Sequence, residues 1–210
     1  YPTTLDGLIY VCVSEAEIPV VLASLEYKSA IVLHASGSLG LEAFPSHAVD
    51  IGCLHPIQSF PGVDIHIPTL IPATLLSHPQ ISRENKHYIE QFAKEVGFTL
   101  HRFQGSRLSY HTAAVLGGNC LTILFSAAKE LLTREGYTES EAAELLFALA
   151  EQSLHNAKNG TLKDVLTGPI ARQQTEVLQR QHHNLAWAPD IQQLFAHFIQ
   201  VAQNRLPDEN

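Results

Sequence analysis

Apolar positions in the first half of the chain come in short runs separated by helical patterns. Residues 7–13 form one continuous run rich in β-formers, as a strand buried on both faces requires. Ser14 follows as an N-cap, with Glu15 and Glu17 in the first turn of a helix that the pattern carries to about Glu26. Residues 30–34 read as the next strand. The loop Ala35-Ser-Gly-Ser-Leu-Gly40 then leads to a short helix over about 41–47. A third strand covers 49–54 and is stopped by His55-Pro56. Residues 65–71 fit an edge strand, where Pro68 is tolerated. A helix over 82–96 ends at Gly97, and a strand over 98–103 closes the series. Strands alternating with helices at this rhythm predict a parallel α/β sheet.

The second half changes character. From Ser106 onward no segment reads as a strand. One long helical pattern covers 108–135 and ends at Gly136. Thr138-Glu-Ser-Glu141 has the form of a capping box, opening a helix to about Lys158 that Asn159-Gly160 stops. A short turn over 162–165 precedes Pro169, which suits the first position of a helix running to about Gln181. Residues 189–205 form the last helix. The sequence thus divides near Gln104-Gly105 into an α/β domain over 1–104 and an all-α domain over 105–210.

Composition narrows the function classes. Apolar residues make up 45% of the chain, enough for a sizeable core and too many for a disordered chain. Thirteen basic against 21 acidic residues give a net charge of −8, a surface that repels phosphate backbones and argues against nucleic acid as a partner. Cys12, Cys53 and Cys120 are widely spaced within apolar runs. They suit a reducing cytoplasm and show neither a disulfide framework nor zinc spacing. None of the 12 histidines has the spacing of a zinc motif, so no metal is expected. No signal peptide is recognisable, and no unbroken apolar run approaches the ~20 residues of a membrane span. Methionine is absent even at position 1, and Tyr1-Pro2-Thr3-Thr4 reads like the interior of a protein. Either the chain is a fragment or parts of the polypeptide are missing from it.

Candidate chemistry follows from the sheet. Ligands of open parallel sheets bind beyond the carboxyl ends of the strands. Those ends carry Val13 and Ser14, then His34, Ser36 and Gly37, then His55, Pro56, Gln58 and Ser59. Amides of the Ser36–Gly40 loop suit an anion or a nicotinamide carboxamide. His34 and His55 either face a ligand or only cap strand ends onto nearby carbonyls. A second group opens the long helical pattern. Ala113, Ala114, Gly117 and Gly118 allow close approach, and His111, Val115 and Asn119 share one broad stripe over ~12 Å of axis. His111 is suited to exchanging a proton near neutral pH, with Tyr110 as a second donor. A buried Asn119 would need a partner and favours a cleft role. In a third group, Thr167 can cap a helix and Arg172 falls in its first turn. That position opposes the helix dipole, so Arg172 is expected to pair with a carboxylate of the protein or of a ligand. His182 and His183 are adjacent, so they do not share a face and do not chelate.

Four runs carry a resemblance: Val32-Leu-His-Ala-Ser-Gly37, Leu54-His-Pro-Ile-Gln-Ser-Phe60, Tyr110-His-Thr-Ala-Ala-Val115 with Asn119, and Leu166-Thr-Gly-Pro-Ile-Ala-Arg172. Together they closely resemble a family of Rossmann-like proteins carrying a C-terminal domain of unknown function. Those proteins are similar in architecture to pyrroline-5-carboxylate reductases, deazaflavin-dependent NADP reductases and β-hydroxyacid dehydrogenases. The resemblance implies an NAD(P)-binding first domain and a helical second domain like that of 6-phosphogluconate dehydrogenase, dimerising through the helical domains. It implies NADP or NAD as cofactor, with Val13 and Ser14 along the dinucleotide, and with His34, Ser36, Gly37, His55 and Pro56 flanking the nicotinamide. His111 takes the place of the catalytic Lys of the hydroxyacid enzymes, although Val115 stands where their spacing has Asn. The family's opening strand and Gly-x-Gly-x-x-Gly turn are not in the sequence. The expected activity is hydride transfer to or from a small imine, ketone or hydroxyacid in an interdomain cleft. His111, Asn119 and Tyr110 would be catalytic there, and Gln58, Ser59, Thr167 and Arg172 would contact substrate. The alternative is a non-catalytic nucleotide-sensing or scaffold protein that retains the fold.

Overall fold

A computed structural model describes residues 4–62 and 68–206. The first half builds a five-stranded sheet in sequence order from β1 (Thr4–Val11), β2 (Glu26–His34), β3 (Ile51–Pro56), β4 (Ile71–Ser77) and β5 (Phe98–Arg102). The pairs β1–β2, β2–β3 and β4–β5 are parallel, whereas β3 and β4 are antiparallel. The sheet is therefore Rossmann-like and mostly parallel, not wholly so. The expected edge strand over 65–71 is also corrected. Residues 65–67 lie outside the described residues, and the strand that forms begins at Ile71 and lies inside the sheet. It accommodates Pro72 near its start, where the Pro72 carbonyl accepts the Ile57 N–H at 2.7 Å.

Helix α1 (Ile18–Ala23) is shorter than its pattern suggests at both ends. Pro19 fixes its start, and Glu17 rather than Ser14 is the N-cap residue. Ser14 instead donates its hydroxyl to the Glu17 carboxylate at 2.7 Å, and its carbonyl accepts the N–H groups of Glu17 and Ile18. At the other end the Tyr27 hydroxyl bonds the Leu22 carbonyl at 2.7 Å, and its ring packs edge-on against Phe44. That packing draws residues 26–29 into β2. The expected helix over 41–47 is a single 3-10 turn, Leu41–Ala43. Helix α2 (Arg83–Glu95) forms as read, with the Ser82 hydroxyl accepting the Asn85 N–H.

Alternation along β2 and β3 sends side chains to opposite faces. Val32, Ile51 and Cys53 meet Ile18 and Leu22 on one side, while Leu33 and Leu54 meet Ile89 and Ala93 of α2 on the other. Two cores thus grip the strands and hold their carboxyl ends in fixed register.

The second half is helical. Helix α3 (Arg107–Val115), a π-helical turn (Leu116–Cys120) and α4 (Leu121–Arg134) form one continuous helix. Compact units part after Leu121, which groups α3 with the sheet. Helix α5 (Glu139–Asn159) carries the capping box of Thr138 and Glu141. It is followed by α6 (Leu162–Val165), α7 (Gly168–Ala171), α8 (Thr175–Asn184) and α9 (Pro189–Arg205). The helix expected from Pro169 to Gln181 is broken in two. Gln173 takes φ of +49°, a left-handed conformation that side chains rarely adopt. The stretch Arg107–Arg134, with a mean hydropathy of 1.3 over its best window, is long and apolar enough to cross a membrane by length and composition. It holds no unbroken apolar run of that length, because Ser109, His111, Thr112 and Asn119 interrupt it without lowering the average enough.

Candidate active site

The carboxyl ends of β1, β2 and β3 open onto a cleft of about 430 Å³. Val13, Ser36, His55, Pro56 and Gln58 line it as the strand-end rule requires, joined by Cys12, Glu15, Ala35 and Phe60.

Beneath the cleft, His34 is 0% exposed. Its Nδ1 accepts the Ser36 N–H at 3.2 Å, which leaves the hydrogen on Nε2. Nε2 faces the Gly40 carbonyl at 3.2 Å and the Cys53 sulfur at 3.1 Å. Burial favours the neutral ring and lowers its pKa. Burial likewise pushes the Cys53 thiol up to about 12, so it stays protonated. His34 therefore holds the 35–40 loop from below. With both nitrogens engaged inside the protein, its ring does not reach the cleft, and the expectation that it contacts a dinucleotide is corrected on that ground.

The loop above is tied in three ways. The Ser36 hydroxyl donates to Glu15 at 2.7 Å and accepts the N–H groups of Ser38 and Leu39. Hydrogen bonds from Ser38 and Ser36 hold the Glu15 carboxyl below its ordinary range. Arg107, the first residue of α3, donates Nε to the Leu39 carbonyl at 3.0 Å and Nη2 to the Ser36 carbonyl. Its guanidinium lies 5.1 Å from the centre of the Phe103 ring and 5.5 Å from that of Tyr110. Among the described residues its Nη1 is buried with no hydrogen-bond partner.

That clamp brings α3 against the strand ends. The Tyr110 hydroxyl lies 2.7 Å from His55 Nδ1 and accepts the Thr74 hydroxyl at 3.0 Å. The His55 and His111 rings are 6.4 Å apart at 76°. They meet around Gly37, where a Cβ would fall 2.6 Å from His111 Cδ2 and 2.8 Å from His55 Nε2. Only a glycine leaves room for both rings. Burial, then the charges of Arg107 and His111, lower the His55 pKa to about 4. The ring is neutral at pH 7.

Other expected residues fall elsewhere. Ser14 and Ser59 are exposed and outside the cleft lining. Asn119 is exposed, not buried. The π turn breaks the 3.6-residue register on which its alignment with His111 depended. Thr167 and Arg172 belong to the second compact unit, and both are exposed. Arg172 caps the carboxyl end of α7 rather than sitting in the first turn of a longer helix, so the expected clash with the dipole does not arise. Among the described residues no group of three His, Cys, Asp or Glu could hold a metal ion.

The reading of residue types missed Arg107 and Thr74. The signal for Arg107 was present, because the dipole argument applied to Arg172 fits Arg107, at the true start of a long helix. Thr74 gave none, since its partner lies 36 residues away.

A family model for a domain of unknown function, DUF2520, matches residues 80–201, more than half of the chain. The chain belongs to this family. No curated protein matches the sequence. Solved structures share the architecture of a Rossmann-like domain followed by helices. A Bacteroides fragilis protein described as a candidate NADP oxidoreductase superposes with a TM-score of 0.76 at 18% identity, over 96% of this chain and 78% of that one. A Thermotoga maritima protein gives 0.68 at 22% identity, over 93% and 76%. The Plasmodium falciparum pyrroline carboxylate reductase with NADP bound gives 0.59 at 14% identity, over 94% and 75%. At these identities the likeness is one of fold.

Proposed function

We propose that this DUF2520 protein is an NAD(P)-dependent oxidoreductase acting on a small molecule at the carboxyl ends of β1–β3. The observation that carries this reading is the meeting of His55 and His111 around Gly37 beside the cleft, with Tyr110 bonded to His55. Groups able to donate or hold a proton converge there, on the side of the sheet where ligands of this fold bind. The cleft suits a nicotinamide, a flat apolar ring with one amide. Val13, Ala35, Pro56 and Phe60 offer apolar walls, and Gln58 offers hydrogen bonds. A nicotinamide dinucleotide, NADP or NAD, supplies hydride when bound. The chain's own part is to orient the ring, exclude water and manage the proton. Fluorescence titration of the full-length protein with NADPH and NADH is expected to show saturable binding of one of them. Binding of neither removes the reading, and tight binding without turnover of any imine, ketone or hydroxyacid turns it towards a nucleotide sensor.

We also infer that the helical part self-associates. Helix α5 leaves Phe147 62% and Leu149 64% exposed, and Leu145 and Leu154 are exposed as well. So much bare apolar surface on one helix is more than a solitary soluble chain ordinarily shows.

A further inference from the structure

We propose that Tyr110 and His55 form an uncharged proton relay, and that this relay assigns the site to carbonyl–alcohol interconversion rather than to imine reduction. The inference rests on the oxidoreductase reading and narrows its substrate class.

The geometry sets the direction of the relay. Thr74 donates its hydroxyl to the Tyr110 oxygen, and that oxygen lies 2.7 Å from His55 Nδ1. A phenol has one hydrogen. With Thr74 supplying the other bond, that hydrogen is directed at Nδ1. An accepting Nδ1 places the imidazole hydrogen on Nε2. Nε2 is the atom beside the gap at Gly37, and His55 lines the cleft. The site therefore presents an N–H that carries no charge. The charged and titratable groups around it are Arg107 and His111 from α3 and Glu15 beyond the Ser36 hydroxyl. Arg107 and His111, with burial, all favour the neutral ring.

The chemistry follows from that neutrality. Hydride arriving at a carbonyl carbon forms the new C–H bond, and the π pair of the C=O moves onto oxygen. The resulting alkoxide takes the Nε2 proton, and Nδ1 takes the phenol proton. Tyr110 is left as a phenolate beneath the Arg107 guanidinium, 5.5 Å from its ring centre, with the Thr74 hydroxyl still donating. Solvent then returns one proton. One hydride and one proton, two electrons and two protons in all, have been added to the substrate at the expense of the reduced nicotinamide, and no group of the chain changes oxidation state. An alkoxide is basic enough to deprotonate a neutral imidazole that is itself reprotonated by a phenol. An imine is different, because it needs its proton before hydride arrives, and a neutral imidazole is too weak an acid to give it.

Two measurements test this. In the first, long-range proton–nitrogen spectra of histidine-labelled protein are recorded from pH 4 to 8 without cofactor. His55 is expected as a single neutral Nε2–H tautomer down to below pH 5, and Tyr110→Phe should produce a mixture of tautomers. A wild-type Nδ1–H tautomer overturns the relay. In the second, NADPH and NADH are offered with cyclopentanone and 2-oxoacids, against cyclic imines of matched ring size. Carbonyls are expected to turn over, with a flat pH profile from 5 to 7.5. Tyr110→Phe should lower kcat by roughly 100-fold with little change in KM. Thr74→Val, which keeps the side-chain volume, should lower kcat by about 10-fold and serves if Tyr110→Phe misfolds. Turnover of imines alone overturns the carbonyl assignment, as does an acidic limb in the pH profile that His111→Gln abolishes. If neither class turns over while the spectra are as expected, the oxidoreductase reading itself fails and the assignment falls with it.

Discussion

Gly37 is the residue on which the geometry of the site turns. Its φ is unremarkable, so an alanine fits the backbone, but the added methyl would press on His111 and His55 from 2.6 and 2.8 Å. Gly37→Ala should cost roughly 1–3 kcal/mol of stability through overpacking. Turnover should fall further, by about 100-fold, because a displacement of about 1 Å can cost that much. Chemical denaturation and steady-state rates would separate the two effects. The depressed pKa of His55, with that of His34, also makes stability depend on pH. An unfolded histidine binds its proton near pH 6.5, whereas the folded His55 ring resists until about 4. The unfolded state therefore holds more protons between those values, and stability is full above about pH 6.5 and declines as pH falls towards 4. After discounting for solvent, His55 contributes on the order of 1–2 kcal/mol of that decline. Urea midpoints across the range should show the slope, and His55→Gln should flatten it. His55 and His111 were legible as candidates from their types and positions. The partners that define them were not, because Thr74 and Arg107 reach the site through tertiary contacts spanning 36 and up to 71 residues.

Among the elements, those with local signals were readable. The N-cap Ser82 and the Thr138–Glu141 box stand where the sequence puts them. Thr138→Ala should lower the thermal midpoint by roughly 2–4 °C, read by circular dichroism, through loss of the cap on α5. Elements decided by distant packing were not readable. Residues 26–29 join a strand because Tyr27 finds Leu22 and Phe44, while the local pattern ends a helix at about Glu26 and opens the strand only at residue 30. The antiparallel pairing of β3 with β4 carries no local mark, since alternation is the same in either direction. The π turn at Leu116–Cys120 likewise hides in a periodic pattern, because Gly117 and Gly118 fit an α-helix and a wider turn equally well.

On the scale of the molecule, the division into a Rossmann-like sheet and a helical half was the most legible feature, since hydrophobic periodicity changes once and for good near residue 105. The bare apolar residues of α5 belong to the same scale. Replacing Phe147 and Leu149 by serine should shift the protein from dimer to monomer in sedimentation and leave the helical content unchanged, and a wild-type monomer would exclude self-association through this helix. One feature of the sheet half has a mechanical reach. By holding the carbonyls of residues 36 and 39, the guanidinium of Arg107 makes the largely buried 35–40 loop and the start of a 28-residue helix behave as one lever. A ligand that lifts the loop must also move the first turn of α3. Deuterium uptake at the Gly40 and Tyr110 amides should accordingly rise and fall together, and Arg107→Gln should uncouple them.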